Sequence, residues 1–345
     1  MTDPSALAAA LRALPGFAAL RPDELAPFPT KGIAHDHWRI AGRGLLVRVP
    51  NAGQFAIPPE AYLPYQQASF ARAAPSGHVP RLVAAITPSA ALPMGALVIE
   101  EIAGRPPRIP QELPLIAECL ARIHSLPVPP PADRPPLADH ADAVAGTIGF
   151  IAAQAPFLEK AAVVGAARAM IMEEIAWALR FAEECRGKDQ PVTLVATDTH
   201  PGNYLVDARG KAILVDVEKM LYGSPAVDLA HATLYTSTTW DIDCGVALAR
   251  ADILAFYRDY LERIDAALAA RLRPWLLPMR RLTWLRTTTW ACRYLVEAVY
   301  RGKAGDPASP YARHVRARIA DFLDARTIAS VRAEWMEPGA LLLGH

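Results

Sequence analysis

Three oxygen-bearing side chains stand close together in the middle of the chain. Asp198 and Asn203 lie five residues apart in Val195-Ala196-Thr197-Asp198-Thr199-His200-Pro201-Gly202-Asn203-Tyr204-Leu205-Val206, where a Pro-Gly turn separates two short apolar runs. Asp216 comes thirteen residues after Asn203, at the end of the next apolar run. Phosphoryl transfer from Mg-ATP needs a carboxylate that orients the attacking hydroxyl and accepts its proton, and oxygen ligands that hold magnesium across the phosphates. Asp198, Asn203 and Asp216 supply that set. Singly, Asp198 and Asn203 read as well as turn closers, since Asp and Asn readily hydrogen-bond the nearby backbone. The three together, in this order, favour the chemistry.

These residues resemble the catalytic segment of the aminoglycoside phosphotransferase and choline kinase superfamily, small-molecule kinases with a two-lobed, protein-kinase-like fold. That family's loop reads H-G-D-x-H-x-x-N, followed by a strand ending I-D-[FW]-[GE] and a helix start G-D-P-x-x-D-L-A. Here Asp198-Thr199-His200-Pro201-Gly202-Asn203, Leu214-Val215-Asp216-Val217-Glu218 and Tyr222-Gly223-Ser224-Pro225-Ala226-Val227-Asp228-Leu229-Ala230 stand in the same order. Val47-Arg48-Val49-Pro50 is similar to the strand that offers Lys or Arg to the ATP phosphates. Val98-Ile99-Glu100-Glu101-Ile102-Ala103-Gly104 is similar to the inter-lobe hinge, and Leu120-Ala121-Arg122-Ile123-His124 to a helix ending in a leucine-histidine pair. The resemblance implies Mg2+ and ATP as cofactors and a small-molecule hydroxyl as acceptor. It implies Asp198 as catalytic base, and Asn203 and Asp216 as magnesium ligands. Arg48 and His200 fall at the nucleotide, with the Ile99, Glu100, Glu101 and Ile102 backbone at adenine.

The chain departs from the family pattern at several places. Ala196 and Thr197 replace the loop's usual histidine and glycine. The helix position whose glutamate orients the phosphate-binding cation aligns with Gln66 or Gln67, leaving a neutral partner for Arg48 or Glu60 from a shifted helix. Gly32 to Trp38 occupies the place of a glycine-rich phosphate loop without being one. These departures motivate an alternative, a pseudokinase-like nucleotide- or partner-binding module without turnover. A protein kinase is disfavoured, because about ten residues separate Asp216 from the next helix and no A-P-E sequence follows. Asp228, ahead of an apolar run, reads as a helix N-cap. His124 reads as a structural residue at a helix C-terminus, and Glu218 as either a second metal contact or a solvent-facing side chain.

The elements that must position these residues follow from apolar periodicity. Ser5 to Leu14 is helical in spacing, and His37 to Ile40 with Leu45 to Val49 carries a hairpin signal across Ala41-Gly42-Arg43-Gly44. Pro58-Pro59 opens a helix from Glu60 to Ala74, with Pro64 an alternative start, and strands follow at Arg81 to Ile86 and Ala96 to Ile102. Beyond Gly104 come helices at Glu112 to His124, Ala141 to Ala153 and Pro156 to Cys185, with an extended connector of six prolines between Pro127 and Pro136. Strand character returns at Val192 to Ala196, Tyr204 to Val206 and Ala212 to Val217, and past Ala226 the chain reads as helical through Trp335. The expectation is an α+β, bilobal, kinase-like fold: residues 1–102 as the nucleotide lobe, 103–345 as the helical lobe with the catalytic loop and acceptor site.

Composition limits the partners. Thirty-six basic against 35 acidic residues leave +1, so no global field gathers nucleic acid or an anionic membrane. Four dispersed cysteines form no C-x-x-C pair, and no secretory leader or 18-residue apolar run occurs, so a cytoplasmic protein with no membrane partner is expected, its oligomeric state open. From Thr236 to His345, 16 basic residues against 12 acidic lower the expectation of a polycationic aminoglycoside acceptor. Trp284, Trp290 and Tyr294, in a helical stretch from Arg280 to Tyr300, suit either a core or a box for quaternary ammonium. Thr236-Ser237-Thr238-Thr239-Trp240-Asp241 suits acceptor hydroxyl contacts or a cap on a helix beginning at Asp241.

Overall fold

The computed structural model describes residues 2–29, 35–51, 57–297 and 309–343. Helix α1 (Pro4–Arg12) is followed by strands β1 (Leu25–Phe28), β2 (His35–Ile40) and β3 (Leu45–Pro50), helix α2 (Pro59–Ala73), and strands β4 (Leu82–Ile86) and β5 (Ala96–Glu100). The five strands form one antiparallel sheet in the order β1-β2-β3-β5-β4. The hairpin expected from the sequence is β2–β3, with Ile40 opposite Leu45. Strand β1 escaped the sequence reading because it is four residues long and contains Pro27, which an edge strand tolerates. Of Gly32 to Trp38, residues 32–34 lie outside the described residues, and His35 to Trp38 open β2.

Strand β3 is central and buried from Leu46 through Val49. Its alternation sends Val47 and Val49 to the face covered by Leu7 and Leu11 of α1, while Leu46 joins the core holding Leu63 and Phe70 of α2. Arg48 points to that same face as Leu46, so a guanidinium is carried beneath α2. Helix α2 begins at Pro59 rather than Pro64, and Pro64 forgoes one i to i−4 hydrogen bond inside it. The helix is tied to the second half of the chain by Tyr65 Oη donating to Met220 O (2.6 Å) and Arg72 Nη1 donating to Tyr222 Oη (3.1 Å).

After β5 the chain passes through β6 (Gly104–Arg105) into α3 (Leu113–His124), α4 (Ala143–Gln154), α5 (Phe157–Lys160) and α6 (Gly165–Cys185). The single helix expected from Pro156 to Cys185 is interrupted, because Ala162 and Gly165 adopt left-handed backbone (φ 54° and 59°). Strands β7 (Thr193–Val195), β8 (Tyr204–Asp207), β9 (Ala212–Leu214) and β10 (Leu221–Gly223) follow, paired β10–β7 and β6–β8–β9. The remainder is helical: α7 (Pro225–Thr233), α8 (Tyr235–Thr238), α9 (Arg250–Arg263), α10 (Ala266–Leu272), α11 (Leu276–Val296), α12 (Pro310–Phe322) and α13 (Ala325–Arg332). No helix starts at Asp241; residues 239–249 form turns until α9. The far end of the stretch to Tyr300 lies outside the described residues. Trp284 is a core residue packed on Trp335 (ring centroids 5.4 Å apart), and Trp290 and Tyr294 pack with Trp240 against Val315 and Ile319. The Thr236, Ser237 and Thr238 side chains are buried.

Candidate active site

The loop leaving β7 is held by one buried carboxylate. Asp228, on α7, accepts the Ala196 N–H at Oδ2 and the Thr197 N–H at Oδ1, both at 2.7 Å. His124 Nε2 lies 3.1 Å from Asp228 Oδ2, and its Nδ1 lies 2.8 Å from Tyr260 Oη. Asp228 is therefore a brace for the loop and not the expected N-cap, which is Ser224, whose Oγ accepts from Ala226 N at 3.3 Å. His124 keeps the structural role, holding that brace.

Thr197 stands where the resemblance places glycine, and its φ is 62°, in the left-handed region glycine favours. The loop thus keeps the backbone turn without the residue that adopts it freely. Three bonds hold it there: the amide bond to Asp228, Thr197 Oγ1 donating to Lys219 O (3.1 Å), and Arg286 Nη2 donating to Thr197 O (2.9 Å). Further along, His200 caps the turn by accepting the Gly202 N–H at Nδ1 (3.2 Å), and Asn203 Nδ2 donates to Asp198 O (2.8 Å). The strand expected to run to Val217 ends at Leu214, and Val215 N donates to Asn203 O at 2.9 Å, which sets the segment carrying Asp216 beside the loop.

Arg48 reaches this segment from the other half of the chain. Its Nη2 lies 2.5 Å from Asp216 Oδ1 and 3.3 Å from Glu218 Oε2, and its side chain is 3% exposed. Glu218 Oε2 also lies 3.0 Å from His35 Nε2 and accepts from Tyr62 Oη at 3.1 Å. Neither expected partner orients Arg48. Gln66 contacts His35 (3.0 Å) and Glu218 (3.5 Å), while Glu60 is exposed. The carboxylate missing from the helix is supplied by Glu218, from the turn after Asp216, so Glu218 faces neither solvent nor a free cleft. Burial works to raise the Asp216 carboxyl, and the Arg48 guanidinium overcomes it and holds the group below the usual carboxylate range.

Asp198 faces a cation that the sequence reading missed. Lys219 Nζ donates to Asp198 Oδ2 at 2.5 Å, and His200 Nε2 and His231 Nδ1 each lie 3.9 Å from Oδ1. Burial pushes the Asp198 carboxyl up, yet the Lys219 ammonium prevails and holds it well below its ordinary value. Burial pushes His231 down to about 3 and lowers His200, so both imidazoles are neutral near pH 7. Lys219 left a signal, a cation three residues past Asp216. His35, His231 and Arg286 left none, since they converge from β2, α7 and α11.

The hinge residues divide. Glu100 N donates to Arg81 O and Glu101 N to Gly44 O, each at 2.9 Å, and the Glu101 carboxylate pairs with Arg39 at 2.6 Å. Among the described residues no acceptor takes the Ile102 N–H. The donor set also fits a magnesium ion. Asn203 spends its amide nitrogen on Asp198 O, leaving the amide oxygen, and Asp216 spends only Oδ1 on Arg48. Two hard oxygens suit an ion that keeps most of its shell for other oxygen ligands.

A model of the phosphotransferase enzyme family matches residues 25–278. The chain belongs to that family. It is a small-molecule kinase by that membership, and the enzyme expected from the loop is borne out. The kinase-like fold is likewise found in solved structures. A choline/ethanolamine kinase family protein from Mesorhizobium loti is 18% identical, with 95% of this chain and 98% of that one covered and a TM-score of 0.56. An ethanolamine kinase of Plasmodium vivax is 12% identical, with 93% and 89% covered and a TM-score of 0.59. A thermostable mutant of the aminoglycoside phosphotransferase APH(4)-Ia, in ternary complex with AMP-PNP and hygromycin B, is 16% identical, with 93% and 98% covered and a TM-score of 0.57. None of the curated proteins matches the chain by sequence. Among the described residues no helix is long and apolar enough to cross a membrane.

Proposed function

We propose that this phosphotransferase moves the γ-phosphoryl group of ATP to a hydroxyl of a small metabolite, with magnesium as cofactor. The observation that carries the reading is the ion pair of Arg48 with Asp216 at 2.5 Å, which joins the sheet of residues 1–102 to the loop half of 103–345 beside Asp198 and Asn203. A guanidinium there would set a fixed positive charge beside the phosphates, and Asp216 and Asn203 would hold magnesium, which would neutralise phosphate charge. The free Ile102 N–H offers adenine a donor at the end of β5.

Asp198 orients the acceptor hydroxyl and takes its proton as the new P–O bond forms and the bond to the ADP leaving oxygen breaks. Its low pKa makes it a weak base, so its part is alignment first and proton acceptance late. Most of the rate comes from positioning and from charge stabilisation in a site closed to water. The departures at Ala196 and Thr197 leave the loop held: the Asp228 brace and the left-handed turn fix the backbone next to Asp198. That supports turnover over a binding module.

The test is transfer of label from γ-labelled Mg-ATP into pooled small alcohols, wild type against Asp198→Asn. Label that enters a small-molecule fraction and vanishes in the variant upholds the reading. Nucleotide binding with equal, background labelling in both proteins refutes it.

A further inference from the structure

The charges around Asp198 are matched on the side of Arg48 and unmatched on the other. Asp216 and Glu218 are engaged by Arg48, Asp198 by Lys219, and Asp228 by two backbone amides and His124. Arg286 enters from α11, across the loop from Arg48. Among the described residues the one hydrogen bond of its guanidinium is to Thr197 O at 2.9 Å, and no carboxylate of those residues lies within ion-pair distance of it. The residue is half-buried, and burial pulls its guanidinium pKa down by more than Asp198 and Asp228, carboxylates already engaged elsewhere, raise it. His231, His200 and His140 on this flank are imidazoles, Asp139 beside His140 is paired with Arg134 at 2.7 Å, and Asp241 lies buried against Gly202 with Oδ1 accepting from Asp243 N at 2.8 Å. The aromatic group Trp240, Trp290 and Tyr294 is packed as a core cluster.

We infer that the acceptor is an anionic alcohol, a hydroxyl compound carrying a carboxylate or phosphate group that Arg286 binds while Asp198 holds the hydroxyl. Arginine suits the task because its planar donors match two oxygens of either group, and one donor is already fixed on the loop that carries Asp198. An acceptor with a fixed positive charge would meet an unpaired guanidinium there, a like-charge contact that selects against it. This rests on the kinase reading above, and the test separates the two.

Label from γ-labelled Mg-ATP is offered to three pools: hydroxy acids such as glycerate, phosphorylated alcohols such as glycerol 3-phosphate, and cationic alcohols (choline, ethanolamine, kanamycin). The expected result is label in one anionic pool, the pool telling carboxylate from phosphate. Arg286→Gln then raises the KM of that acceptor at least about tenfold with the ATP KM unchanged, and Arg286→Lys recovers part of the loss. A purely structural Arg286 would instead lower kcat for every acceptor alike and move both KM values together. Label confined to the cationic pool overturns the inference and leaves the kinase reading standing. Should no pool take label, the turnover reading falls. Equilibrium dialysis of labelled glycerate and glycerol 3-phosphate against protein loaded with Mg-AMP-PNP then decides: retention lost in Arg286→Gln upholds the anion site, and retention absent or unchanged overturns it.

Discussion

The two flanks of Asp198 are built on opposite electrostatic plans. On the Arg48 flank each charge has a counter-charge within 3.3 Å, carried by β2, β3 and the buried segment that follows β9. On the Arg286 flank, among the described residues, a guanidinium hydrogen-bonds only a backbone carbonyl. A matched network is rigid before any ligand arrives, whereas an unmatched cation is stabilised by what binds it. On the proposed function, the nucleotide side is preorganised by the protein and the acceptor side is completed by substrate. Asp198 sits at the seam, held by Lys219.

The largest effect belongs to the seam. Asp198→Asn keeps the shape but removes the proton acceptor, and kcat for label transfer should fall by about 10³-fold or more. Mg-ATP affinity, read by calorimetry, should change little. A fall in nucleotide affinity equal to the fall in kcat would place Asp198 on the nucleotide flank and erase the comparison.

Next comes the flank itself. Arg48→Met strips Glu218 and Asp216 of their cation, and breaking a buried pair this way costs about 3 kcal/mol or more. Urea unfolding should register that loss, and the KM for Mg-ATP should rise with it. Arg286→Gln, which leaves no carboxylate bare, should cost only about 1 kcal/mol. Equal destabilisation by the two variants would mean that the flanks are alike.

These contrasts also mark what was legible in the sequence. Asp198, Asn203 and Asp216 could be read because the loop and the next strand are contiguous, and local spacing fixes which side chains meet. The hairpin β2–β3 was legible for the same reason. The partners of Arg48 were not: Glu218 is 170 positions away in the chain, and no local pattern says that it replaces a glutamate absent from α2. Asp228 was misread because an acid ahead of an apolar run looks like a cap, while its amide partners lie about thirty residues upstream. Strands β6 and β10, of two and three residues, exist only through pairing with β8 and β7, so periodicity has nothing to detect.

A smaller effect tests the seam by pH. Lys219 favours the ionised form of Asp198, so Lys219→Met should let the carboxyl rise toward its ordinary value. The ionised form is the one that turns over, and the acid limb of the kcat/KM profile should therefore move upward by about one pH unit. Stability follows the same sign. A depressed folded pKa stabilises above the unfolded value and is lost as pH falls through the folded one, so the variant should lose acid stability first. An unmoved acid limb would show that Lys219 does not set this titration.

The smallest effect sharpens how the loop tolerates its departure. At φ 62° Thr197 carries the strain of a β-branched residue in left-handed backbone, about 1 kcal/mol or somewhat more. Thr197→Gly relieves that strain, but it also removes the bond from Oγ1 to Lys219 O at 3.1 Å, worth about 1 kcal/mol, and frees the unfolded chain. The terms oppose, and the net change in unfolding free energy should stay within about 1 kcal/mol. Thr197→Val keeps the strain and loses the hydroxyl, so it should be destabilised by about 1 kcal/mol or more. Because the hydroxyl also fixes the carbonyl of the residue that pairs with Asp198, both variants should show a lowered kcat with an unchanged KM for Mg-ATP. A Thr197→Val protein as stable as wild type would mean that the brace from Asp228 and Arg286 alone holds the turn.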